Sequence, residues 1–158
     1  EQDQSQVLPQ ENSTYILTLE PPLVINPVII PDTFQCPISR EIMSEPVLVI
    51  SGDQYFEHTY EHLSIIEWFK TNKQDPMTRG EVSHVVFNTD LKKEIEEFLT
   101  SLTTKQILED GNLRNDLESW VRKRGRENLL KDERLKCIVK RLDRAKLVKK
   151  AQESGGNI

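Results

Sequence analysis

The side chains able to do chemistry are few and widely spaced. Cys36 and Cys137 are the only cysteines, about a hundred residues apart, and there are three histidines. A disulfide framework needs more cysteines at closer spacing, so a reducing compartment, the cytoplasm by default, is expected. His58 and His62 stand four apart, with Glu57 and Glu61 beside them. Two histidines at that spacing can ligate zinc from one helix face, but a structural zinc site takes four ligands and no third is in view. Helix-start signals also fall between Thr59 and Leu63, so the pair straddles a boundary. No Cys-His, Ser-His-Asp or paired-carboxylate arrangement for nucleophilic or acid–base catalysis stands out. Neither a metal nor a cofactor is expected.

What remains are two short polar-and-proline loops, and the elements that must position them. "FQCPISREIMSEPVL" (34–48) runs from a Cys-Pro-Ile turn into an apolar stretch, and "KQDPMTRG" (73–80) is bounded by Pro and Gly. Between them, "PVLVI" (46–50) has the β-branched composition of a short strand. Ser51-Gly52-Asp53 signals a turn and "QYF" can return as a partner strand. "HLSIIEWFKTN" (62–72) sets Ile65, Ile66, Trp68 and Phe69 at helical spacing. After the second loop, "HVVF" (84–87) is a third strand and Asn88-Thr89-Asp90 offers helix caps. The next helix carries Leu91, Ile95, Phe98, Leu99 and Leu102 on one face. The order is loop, hairpin, helix, loop, strand, helix. No internal repeat stands out.

Composition frames this unit. The chain has 158 residues, 36% hydrophobic and 30% charged, which suits one compact domain with extensions or two small domains. Its longest apolar runs are too short to span a membrane. Residues 1–13 are polar and Gln-rich and are expected to be disordered. "TYILTLEPPLVINPVIIP" (14–31) is broken by prolines, so it is expected as edge strand and extended linker, with part of it packing on the body. From 103 to 151 the pattern is helical: Leu113, Leu117, Trp120 and Val121 share a face, Gly125 marks a break, and Leu135, Ile138, Val139, Leu142 and Ala145 form a second stripe. Residues 152–158 are expected as a flexible tail. Residues 1–121 carry 8 Lys/Arg against 21 Asp/Glu, whereas 122–150 carry 13 against 4. An acidic body with a basic segment speaks to partners or self-association, not to fold.

The 32–102 unit resembles the U-box, the metal-free relative of the RING finger found in ubiquitin ligases. The pieces that carry the resemblance are "CPIS" (36–39), "EIMSEPV" (41–47), Gly52, "TYE" (59–61), "IIEWF" (65–69), "DPMTR" (75–79) and "VVFNTDLKKEIEEFL" (85–99), each weak alone and specific in order and spacing. The expected fold class is α+β: a RING-like ββαβα domain over 32–102, after an extended segment 1–31 and before an all-α region 103–151, basic from 122. Two departures from the family pattern are visible. "DQYFEH" stands between the turn Gly52 and Thr59 as an apparent insertion (53–58), expected to reshape the hairpin beside the first loop. Phe87 stands where a Pro often precedes the Asn, a change of packing.

The resemblance implies that hydrogen bonds, salt bridges and packing replace zinc, with Ser39, Glu41, Asp75, Thr78 and Asn88 as polar staples. Short polar side chains bond readily to nearby backbone and so fix loops. Cys36 is then a small buried hydrophobe. The resemblance further implies a ligase without a covalent intermediate, which binds a ubiquitin-charged conjugating enzyme and positions its thioester for a substrate lysine. By residue type alone, Ile38 and Trp68 read as core, Pro76 as a turn former and Arg79 as a solvated cation. Carried over from the family, Ile38, Trp68, Pro76 and Thr78 bind the conjugating enzyme. Arg79 takes the catalytic linchpin position, where a guanidinium fork can serve two carbonyl partners at once.

Other functions compete. A non-catalytic adaptor would keep the fold while the insertion blocks docking. Segment 122–150 could bind an anionic membrane with Trp120 as anchor, or nucleic acid, which the sparse aromatics disfavour, or simply dock its charged face on the acidic body. The 127–150 stripe could also pair two copies as a dimer. Substrate, preferred conjugating enzyme and linkage are not written in the residues. The source could be eukaryotic, or a bacterial effector acting in a host cytosol.

Overall fold

The structure, a computed structural model, describes residues 27–51 and 56–155. The expectations for 1–26, for the turn at Gly52-Asp53 and for 156–158 lie outside the described residues.

The α+β architecture follows the expected order. A 3₁₀ turn, Asp32–Phe34, opens the unit. Strand β1, Pro46–Ser51, pairs antiparallel with β2, Phe56–Glu61, on one side and with β3, Val82–Phe87, on the other. The sheet order is β2-β1-β3. Central β1 buries Val47, Val49 and Ser51, while β3 leaves Val85, Val86 and Phe87 about half exposed, as an edge strand does. Helix α1, His62–Phe69, follows β2 without a loop. Helix α2, Thr89–Ser101, starts where the Asn88 carboxamide oxygen accepts the Leu91 N–H at 3.1 Å.

Of the expected return strand "QYF" (54–56) only Phe56 is described, and it belongs to β2, which pairs along the whole of β1. Much of the apparent insertion is therefore sheet. Two boundaries differ from expectation. The helix expected over 62–72 ends at Phe69, and its last turn closes when the Asn72 N–H donates to the Trp68 carbonyl. The flexible tail expected from 152 is helix through Gly155.

Four helices follow: α3, Thr104–Glu109; α4, Gly111–Arg124; α5, Arg126–Leu130; and α6, Lys136–Gly155. Thr103 and Gln106 form a capping box on α3, and Asp110 caps α4. Gly125, at φ +92°, separates α4 from α5, a backbone angle at which a side chain would be strained and would meet Asn128. Leu113, Leu117, Trp120 and Val121 of α4 join Leu135, Ile138, Val139, Leu142 and Ala145 in a hydrophobic cluster that is continuous with Phe34, Ile42, Met43, Tyr60, Ile95 and Leu99. Val28 and Ile30 pack against the same cluster. Sheet and helical region thus share one core.

Trp120 is fully buried and its indole N–H donates to the Met43 carbonyl at 3.2 Å. It cannot serve as a membrane-interface anchor, because its apolar surface and its one donor are already satisfied inside the fold. Trp120→Ala is expected to cost about 3–5 kcal/mol, read as a lower midpoint in urea unfolding of the full chain, with both the sheet and the helices lost in one transition.

Candidate functional site

The two loops share one plan, a local echo that corrects the view of a chain without internal repeat. In loop one, Cys36-Pro37-Ile38-Ser39-Arg40, the Cys36 N–H donates to the Glu41 carbonyl at 2.9 Å and the Arg40 N–H to the Cys36 carbonyl at 2.7 Å. In loop two, Asp75-Pro76-Met77-Thr78-Arg79, the Asp75 N–H donates to Gly80 at 2.9 Å and the Arg79 N–H to Asp75 at 2.8 Å. The N–H two residues after each first position turns inward, Ile38 onto Cys36 Sγ and Met77 onto an Asp75 carboxylate oxygen. The hydroxyls of Ser39 and Thr78 accept the N–H groups of Glu41 and Gly80. Arg40 and Arg79 both hold positive φ, 63° and 65°, which only a few per cent of non-glycine residues adopt. Each loop closes on a left-handed arginine whose side chain faces solvent.

Loop two is anchored by Asp75, which is wholly buried. Its carboxylate accepts from the Tyr60 hydroxyl, the Met77 N–H, the Ser51 hydroxyl at 3.2 Å and His58 Nδ1 at 3.2 Å. Burial alone would raise the carboxyl; the bonds from Tyr60, Met77 and His58 together outweigh it and hold it below its usual range. Burial and the same carboxylate push the Tyr60 phenol up, so it stays a neutral donor. Thr78 Oγ1 lies 3.0 Å from Ser51 Oγ, and the Trp68 indole donates to the Gln74 carbonyl at 2.7 Å, fixing the loop's entry.

Loop one is anchored by Glu61, which residue types alone did not reveal. It follows Tyr60 at the end of β2, and its N–H donates to Cys36 Sγ at 3.1 Å. Its nearly buried carboxylate accepts the Ser44 N–H at 2.7 Å, the Glu45 N–H at 2.9 Å and Lys123 Nζ at 3.1 Å. Burial would raise this carboxyl too; the backbone donors of Ser44 and Glu45 and then Lys123 hold it low. Glu41, expected among the staples, works differently: its backbone closes the loop, but its half-exposed carboxylate only meets Lys123 at 3.4 Å. Asn88 caps α2 and donates to Thr59.

Ile38 is 40% exposed and Met77 is 55% exposed. Pro37 of loop one and Met77 of loop two line the same depression, which Ile38, Trp68 and Pro76 do not line; Trp68 and Pro76 are half-buried. The histidine pair does not meet. His58 lies on β2 and faces Asp75, whereas His62 opens α1 with its ring 5.1 Å from that of Phe87. Among the described residues no group of three or more His, Cys, Asp or Glu could hold a metal ion, and no helix is long and apolar enough to cross a membrane.

A small antiparallel sheet with helices and two loops cross-tied by side chains is the arrangement expected of a RING-like fold. Residues 30–101, a little under half of the chain, match the family model described as the U-box domain. Its relatives include U-box domain-containing protein 1 of Medicago truncatula, 50% identical over 44 residues, covering 28% of this chain and 6% of the relative. A WD repeat, SAM and U-box domain-containing protein of Gallus gallus is 35% identical over 80 residues, covering 49% and 16%. A protein of Acanthamoeba polyphaga mimivirus named as a bifunctional E2/E3 enzyme is 37% identical over 62 residues, covering 39% and 4%. The matches thus span less than a fifth of each relative, and the helices beyond 101 lie outside the family match.

A carboxylate held low stabilises the fold above its unfolded pKa and loses that contribution as pH falls through the folded value. Both Asp75 and Glu61 are of this kind. Stability should therefore drop on acidification below about pH 4. Asp75→Asn should cost ~1–3 kcal/mol at neutral pH and flatten the acid limb, measured by denaturant unfolding at a series of pH values.

Proposed function

We propose that the chain is a U-box ubiquitin ligase that binds a ubiquitin-charged conjugating enzyme across its two loops and promotes transfer to substrate lysines. The observation that carries this reading is the exposure of Ile38 and Met77 on two loops fixed by buried side chains, with the half-buried Trp68 tied to the entry of the second. Small apolar clusters of this kind make exchangeable interfaces in which a few side chains dominate the affinity. Arg79 stands at the end of loop two with its backbone held by Asp75 and its guanidinium in solvent. From there it acts as the linchpin between conjugating enzyme and ubiquitin. The ligase supplies position and restricted freedom, and substrate lysine is the nucleophile.

In this proposal the helical region docks on the U-box rather than on lipid or nucleic acid. Its basic side chains pair with the acidic body: Arg124 and Arg134 with buried Glu96, Lys123 with Glu61, and Arg141 with the last carbonyls of α2. The two free cysteines, one buried and one partly exposed, fit a reducing cytosolic setting.

The test is discharge of a ubiquitin-charged conjugating enzyme onto free lysine, run over a panel of such enzymes. Ile38→Ala should weaken conjugating-enzyme binding by roughly thirtyfold or more and abolish ladder formation. Arg79→Ala should slow discharge at least about tenfold while binding stays within about twofold. Full activity in both variants would remove the groove assignment, and silence of the folded wild-type chain across the panel would favour an adaptor.

A further inference from the structure

The two loops differ in where their support comes from. Every hydrogen-bond partner of loop two named above lies between Ser51 and Gly80. Loop one instead leans on α4, a helix beyond the family match. Consecutive groups of its outgoing segment are held from that side. The Ile42 carbonyl accepts from Lys123 Nζ at 3.0 Å, and the Met43 carbonyl accepts from the Trp120 indole. The Ser44 and Glu45 N–H groups are fixed by Glu61, whose carboxylate is itself paired with Lys123. The same ammonium reaches Glu41, whose carbonyl closes loop one on Cys36.

We propose that Lys123 is a positioning residue for loop one, so that the helical extension sets the placement of Ile38. Its side chain is only 20% exposed and serves one carbonyl and two carboxylates, a set of partners that a solvated surface lysine does not have. Removing the ammonium leaves Glu61 a buried anion short of its one cationic partner among the described residues and frees the Ile42 carbonyl, both at the root of loop one. Among the described residues no Lys or Arg holds loop two in this way. The consequence for activity rests on the ligase function proposed above; the consequence for loop geometry does not.

The experiment uses the full chain and compares backbone amide spectra of wild type, Lys123→Met and Lys123→Arg. Lys123→Met should shift or broaden the amides of loop one and leave those of loop two in place, and Lys123→Arg should restore them. Binding of a charged conjugating enzyme should weaken roughly three- to tenfold in Lys123→Met and recover in Lys123→Arg. Unchanged loop-one amides, or equal disturbance of both loops, would overturn the proposal. If Lys123→Met does not fold, Lys123→Gln, which keeps a donor without the charge, is read by the same amides. A wild-type chain that binds no conjugating enzyme would count against the ligase function, while the amide spectra would still decide the role of Lys123.

Discussion

The fold depends on what happens at two adjacent residues, Tyr60 and Glu61, at the end of β2. The Tyr60 hydroxyl meets Asp75 under loop two, and Glu61 meets Cys36, Ser44 and Glu45 under loop one. In a strand, successive side chains leave on opposite faces, so one dipeptide can reach two loops that are distant in sequence. The strand end is itself fixed, because Val47 and Pro46 pair with Tyr60 and Glu61 across the sheet. Buried carboxylates tolerate this arrangement because nearly every lone pair facing the interior has a donor.

Much of this was legible in the residues, and the limits were physical. The stripe of α2, the Asn88 cap and the place of Asp75 follow from local patterns, spacing and short polar side chains at loop ends. Glu61 was missed because "HTYEH" carries helix-start signals on both sides of the true boundary, and a glutamate there looks like a solvated first-turn residue. Its role comes from contacts with residues 17 positions back and 62 positions ahead, which local patterns cannot express. A signal did exist in the parallel between "QCPISRE" and "QDPMTRG": the two stretches share Gln, Pro, an apolar residue, a hydroxyl and Arg in the same order, five of seven positions, which announces two loops of one shape.

Part of the charge asymmetry of the chain is met within the molecule. Glu96, nearly buried on α2, takes Arg124 and Arg134, and Arg141 covers the carbonyl end of the same helix. Cations at a helix C-terminus are favourably placed against its dipole. Four of the thirteen cations of the basic segment, Lys123, Arg124, Arg134 and Arg141, face the acidic domain that precedes it. Arg122, Lys131, Lys140, Arg144 and Lys150 have no ion-pair partner among the described residues, and Arg141 meets only carbonyls.

The loops look alike but are braced differently, one from the sheet and the other also by a helix appended to it. The end of β2 serves both loops, through Tyr60 for the loop that carries Arg79 and through Glu61 for the loop that carries Ile38, whereas α4 reaches only the second of these through Trp120 and Lys123. A change at the strand end is thus felt at both loops, and a change along α4 enters the domain from the Ile38 side alone.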